Sequence, residues 1–264
     1  MRNLVWMILS IILVVPLAAC VPEVPSPQPS PTAPWVVLGT LQVSTPTVPA
    51  LPTAPFDTSE CDNPYLPSDE GVAWTFAGES SSTGTYTRTD EIIASENDSF
   101  TIATQLTKVL YTQEFLCTDA GLVNMEPNQS DIAAMFSGPS GPVTVHRISN
   151  SGVTLPPEIQ AGDSWQQVFE WDAVGTRASG HGTFTHDFTA VGIEAVNVPA
   201  GTFDALRIDA VIQREIGSTP SFSGTYTTTV WMAEDVGLVK SVGSSQIPGV
   251  EFTDSLELTS FNSP

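Results

Sequence analysis

Positive charge is scarce in this chain, with eight Lys and Arg against 29 Asp and Glu in 264 residues. The net charge of −21 repels phosphate backbones and anionic headgroups, which argues against nucleic acid as a partner and gives the acids solubility as their first role. Histidine is scarcer still: His146, His181 and His186 are the only three. On a strand His181 and His186 face opposite sides and share no metal. The chain contains no Gly-x-Ser-x-Gly, no His-Glu-x-x-His, no phosphate-cradling glycine loop and no Cys-x-x-Cys. Acids gather at Asp57, Glu60, Asp62, Asp69 and Glu70, but their spacing matches no EF-hand loop. These absences lead to an expectation of no enzyme, no cofactor and no metal.

What is present begins with Arg2, an apolar run over 4–17, and then Leu17-Ala18-Ala19-Cys20. The run is shorter than the ~20 residues that span a bilayer, and it carries Pro16. The quartet resembles the lipobox of bacterial lipoproteins, a resemblance that covers residues 1–20. It implies cleavage after Leu17, Ala18 and Ala19, diacylation of Cys20, and a domain held outside the cell on the membrane. Two or three acyl chains, at about 0.8 kcal/mol per buried CH₂, hold far more firmly than one. With Cys20 acylated, Cys61 and Cys117 are the remaining cysteines, and outside the cytoplasm such a pair forms a disulfide.

Residues 21–60 are rich in Pro, Ser and Thr, with ten prolines between positions 22 and 55. That composition predicts a disordered tether of polyproline character, broken only by the apolar Trp35-Val36-Val37-Leu38. From residue 61 onward, alternating β-branched and aromatic runs recur between Gly, Pro, Asn and Asp turns, as in Ser99-Phe-Thr-Ile-Ala-Thr104 and Gly182-Thr-Phe-Thr-His-Asp-Phe188. The reading is an all-β domain over 61–264, with one short helical candidate at 130–136.

Two patterns occur twice in the same order. Pro67-Ser-Asp-Glu-Gly71-Val-Ala-Trp74 matches Pro157-Glu-Ile-Gln-Ala-Gly162-Asp-Ser-Trp165 with one inserted residue. Phe115-Leu-Cys-Thr-Asp119-Ala-Gly121-Leu-Val123 matches Trp231-Met-Ala-Glu-Asp235-Val-Gly237-Leu-Val239 without a gap. A degenerate duplication over about 62–150 and 151–264 follows, giving one curved antiparallel sheet or open barrel built from two halves. Val196-Asn-Val-Pro-Ala-Gly-Thr-Phe203 adds a hairpin signal that the first half has lost.

The Pro-Gly-Trp pattern, the Val-Pro-Ala-Gly-Thr-Phe hairpin and the Trp-to-Gly-Leu-Val-Lys stretch together resemble bacterial exported lipoproteins of unknown function. Their folds are similar to the curved sheets of periplasmic lipoprotein carriers. The resemblance lies mostly in 155–242 and implies a concave face able to take an acyl chain; it carries no catalytic residues. Trp74, Trp165, Trp171 and Trp231 are the side chains expected to line such a groove. Three functions stand at this stage: a non-enzymatic lipid-anchored domain binding an apolar ligand or another envelope component, a cell-envelope hydrolase, and a structural spacer or adaptor. The hydrolase would need a His beside a carboxylate and a Ser or second acid.

Overall fold

The computed structural model describes residues 61–106, 109–125, 143–175, 179–217, 222–247 and 250–264. The lipobox residues 17–20, the tether, the apolar break at 35–38, Asp57 and Glu60, and the helical candidate at 130–136 lie outside the described residues. Twelve strands account for the described part: β1 (Ala73–Ser80), β2 (Gly84–Ser95), β3 (Ser99–Leu106), β4 (Val109–Thr118), β5 (Gly121–Asn124) and β6 (Val143–Gly152). They continue with β7 (Ser164–Gly175), β8 (Ser179–Val198), β9 (Gly201–Gly217), β10 (Phe222–Ala233), β11 (Gly237–Ile247) and β12 (Val250–Asn262). Alternation dictates these elements: Trp74, Phe76 and Ser80 of β1 are buried while Thr75 and Ala77 between them are not.

All twelve form one antiparallel sheet in the order β5-β4-β3-β2-β1-β12-β11-β10-β9-β8-β7-β6. Its two ends meet where Leu122 of β5 bridges Leu155, just after β6, so the sheet is a nearly closed barrel. One rim, called lower here, carries the turns at 96–98, 119–120, 199–200 and 234–236; the other is the upper rim.

The two copies of each motif occupy matching places. Gly71 N–H donates to Ile92 O at 2.8 Å, and Gly162 N–H donates to Ala190 O at 2.8 Å. Ile92 N–H returns to Val72 O and Ala190 N–H to Asp163 O, both at 2.9 Å. A bulge follows at Ile92/Ala94 in the first case and at Ala190/Gly192 in the second. Strands β1 to β5 thus run as β7 to β11 do. Beside β1, however, stands β12, in the position that β6 holds beside β7, and both of those pairs contain a bulge.

The core follows the barrel axis. The main cluster fills the lower part with Val72, Trp74, Phe76, Phe100, Phe115, Leu122, Leu206 and Leu258. The long β8–β9 hairpin tucks its tip beneath them: Ala200 N–H donates to Leu258 O at 2.9 Å, and Val198 and Phe203 pack on the cluster. A smaller cluster of Phe169, Trp171, Ala173, Phe184 and Ile216 sits on the β7–β9 side.

Candidate functional site

Toward the upper rim the inner face turns polar. Arg88 and Asp90 lie on the inner side of β2, where Asp90 and Ile92 alternate with exposed Thr87 and Glu91. Arg88 Nε and Nη2 donate to the two Asp90 oxygens at 2.9 and 2.7 Å, and Thr104 Oγ1 of β3 donates to Asp90 Oδ1 at 2.8 Å. Tyr86, on the same face, donates its hydroxyl to Asp254 Oδ1 at 2.8 Å and to Oδ2 at 2.9 Å across β1. It reaches because β1 carries Gly78 opposite Tyr86; a Cβ there would stand 2.3 Å from the ring. On the other side of β12, β11 carries Gly243, and Tyr226 of β10 lies over it. Arg214 of β9 is buried with its guanidinium 5.6 Å from the Tyr226 ring centre and 5.7 Å from that of Phe184.

Burial and charge tune these groups together. Burial raises the Tyr86 hydroxyl above the usual phenol range, and the Asp254 carboxylate reinforces the effect. Burial likewise raises Asp254, against the Tyr86 hydrogen bond and the Arg88 charge. Arg88 is largely buried, which opposes its charge, yet Asp90 holds it firmly protonated. His186 faces inward from β8, and burial followed by the Arg214 charge lowers it to about 4. The result is a tier of inward-facing polar groups, most of them paired with one another, among aromatic rings.

The residues singled out in the sequence are distributed as follows. Cys61 and Cys117 are joined by a disulfide that ties the start of the domain to β4. The four tryptophans take different places. Trp74 is in the main core and donates to Val236 O at 2.5 Å, and Trp165 stacks on Phe188 at 5.4 Å with its indole N–H on Thr154 O. Trp171 is buried in the small cluster, 5.7 Å from Phe184. Trp231 is on the opposite sheet face, in register with Arg207 and Lys240 and bonded to Glu194. Trp74, Trp165 and Trp171 stand at the inward-facing positions of their strands, whereas Trp231 stands at an outward one beside the bulge between β10 and β11.

Strand pairing also creates a row that the sequence did not reveal. Asp172 of β7 is the register partner of both His146 on β6 and His181 on β8, and all three are exposed. Asp172, Ser179 and His181 line a concavity of about 610 Å³. No hydrogen bond joins these three, and the His181 ring lies over Gly217 on the far side from Asp172. Among the described residues no group of three His, Cys, Asp or Glu is arranged to hold a metal ion.

No curated protein matches the chain. Among solved structures, a proposed lipoprotein from Parabacteroides distasonis aligns with a TM-score of 0.50 at 13% identity, over 76% of this chain and 99% of its own. A proposed exported protein with YmcC-like fold from Bacteroides fragilis aligns at 0.48 and 14% identity, over 76% of this chain and 100% of its own. The hypothetical lipoprotein YmcC from Escherichia coli aligns at 0.33 and 14% identity, covering 76% and 87%. The Parabacteroides alignment establishes the kind of fold. Residues 146–244, from within β6 to within β11, match the model of the DUF3108-like family, so the second half of the barrel is where this chain is similar to that family.

Proposed function

We propose that the protein is an extracytoplasmic lipoprotein, acylated at Cys20, whose barrel binds an amphipathic component of the cell envelope without transforming it. Three features support the location: the lipobox, the Pro-rich tether and the likeness in fold to the Parabacteroides structure described as a lipoprotein. The observation that carries the binding reading is the polarity of the inner face. A barrel that served only as a spacer would gain from an apolar interior, since an interior ion pair is often no more stabilising than apolar residues of similar volume. Here Asp90, His186 and Arg214 are buried instead, and Arg88 largely so. Polar groups kept inside at such a cost mark a site.

Two measurements test this reading. Replacing Cys20 by Ala moves the chain from the membrane to the soluble fraction and removes the acyl mass; unchanged partition and mass would overturn the anchor. For the ligand, native extraction followed by mass spectrometry recovers a bound envelope molecule from the wild type. Replacing Arg88 and Asp90 together by Met and Leu abolishes that recovery while stability stays within about 1–2 kcal/mol. Equal recovery from both proteins, or none from either, overturns it.

A hydrolase is the second reading, favoured by the one concavity that Ser179, His181 and Asp172 share. It requires His181 to leave Gly217 and turn to Asp172. Ester or amide cleavage lost in His181→Ala would favour it over binding.

A further inference from the structure

We infer that the barrel opens sideways along the line where β5 meets the segment after β6, and that residues 61–66 are the strap holding that line shut. Every other pair of neighbouring strands among the described residues is joined by a ladder, from the four pairs of β4–β5 to the long β8–β9 ladder. At this line one bridge is present among the described residues. Leu122 N–H donates to Leu155 O at 2.8 Å, and Leu155 N–H donates back at 3.1 Å.

Thr154 N–H also donates to Leu122 O at 2.8 Å, and side chains add further bonds across the line. Asn124 N–H donates to Thr154 Oγ1 at 2.7 Å, whose hydroxyl donates to Gln167 Oε1 at 2.8 Å. Gln167 Nε2 donates to Asn124 O at 2.8 Å, and Asn150 Nδ2 donates to the same oxygen at 2.9 Å. Amide and hydroxyl side chains can exchange these partners for water one at a time, which a ladder of backbone pairs cannot do. Leu122 and Leu155 belong to the main core, so parting them exposes its lower part, below the polar tier.

The strap crosses the same line. On one side Cys61 is bonded covalently to Cys117, the register partner of Leu122. On the other, Asn63 Nδ2 donates to Pro156 O at 2.9 Å, next to Leu155. A cavity of about 220 Å³ lies under the strap, lined by Asp62, Asn63, Leu122 and Pro157. The strap is fixed at Cys61 and, beyond Asn63, by Asp235 N–H donating to Pro64 O at 2.9 Å and by buried Tyr65. Its bond to Pro156 O can therefore release while these hold. The opening deepens the binding reading, on which it rests, by naming a route to the interior for a molecule too long to enter by a rim.

Amide hydrogen exchange on the full chain, purified in detergent, tests this directly. The Leu122, Asn124, Thr154 and Leu155 amides exchange about tenfold faster than those of the β8–β9 ladder, without added denaturant. Asn63→Ala accelerates these four amides further and leaves the β8–β9 ladder unchanged, and Gln167→Met does the same from the other end of the network. Should seam and ladder exchange within a factor of about two of each other, the inference fails. It also fails if either variant accelerates every amide together, since that is global unfolding, or accelerates none. The measurement reads exchange alone, so its failure is distinct from that of the binding reading, which ligand recovery decides.

Discussion

At the level of single residues, His186 sets a pH dependence whose sign follows from its surroundings. Folding lowers it from an ordinary 6.5 to about 4, through burial first and the Arg214 charge second. Below pH 6.5 the unfolded chain binds a proton that the folded chain refuses. The contribution is therefore complete above pH 6.5 and is lost as pH falls toward 4, amounting to about 3 kcal/mol across that window. Urea midpoints for the wild type should fall between pH 7 and 4.5, and His186→Leu should flatten that fall. An equal slope in both proteins would mean that other groups carry it. The Tyr86–Asp254 pair gives a second case. Tyr86→Phe leaves a part-buried carboxylate without its donor and should destabilise by about 1–3 kcal/mol at pH 7. Adding Asp254→Asn should recover much of this, so a double-mutant cycle at pH 7 should show coupling; additivity would contradict the pairing.

At the level of elements, the turn glycines divide into those that need only their backbone angle and those that also need the missing side chain. Gly84 has φ +77° with open space where a Cβ would stand, so Gly84→Ala should cost about 1 kcal/mol from the left-handed backbone alone. Gly121 has φ +123°, and a Cβ there would stand 2.3 Å from Leu155 O, a backbone atom that cannot step aside without breaking the seam. Gly121→Ala should cost about 3 kcal/mol or more by chemical denaturation; equal costs at the two sites would contradict the close approach. The Asp-x-Gly-Leu-Val pattern announced this turn in the sequence, because a left-handed glycine after an acid leaves a compositional mark. The inward alternation of Trp74 and Phe76 was legible for the same reason. The inner polar tier was not. Arg88, Asp90, Tyr86 and Asp254 sit at alternate positions like any strand residues, and only the register across β1 and β12 brings them together. The same holds for His146, Asp172 and His181, drawn from three strands.

For the whole molecule the decisive element is β12. The first half resembles the second strand for strand from β1 to β5, but its outer neighbour comes from the far end of the chain. A repeat count predicts two halves side by side; it does not say that the last strand crosses back to complete the first. In the ladder order β12 joins the halves, pairing β1 on one edge and β11 on the other, and it buries Leu256 and Leu258 in the main core. Its contacts with β1 span 184 residues in the case of Thr259 and Thr75, so loop-closure entropy delays them until most of the sheet exists. Removing residues 250–264 should then leave β1 and β11 as long exposed edges. The truncated chain should lose its single cooperative unfolding transition and self-associate through those edges. Size-exclusion chromatography with urea unfolding followed by circular dichroism measures both effects. A truncated protein that stayed monomeric and unfolded in one step near the wild-type midpoint would mean that the halves hold together without the strand they share.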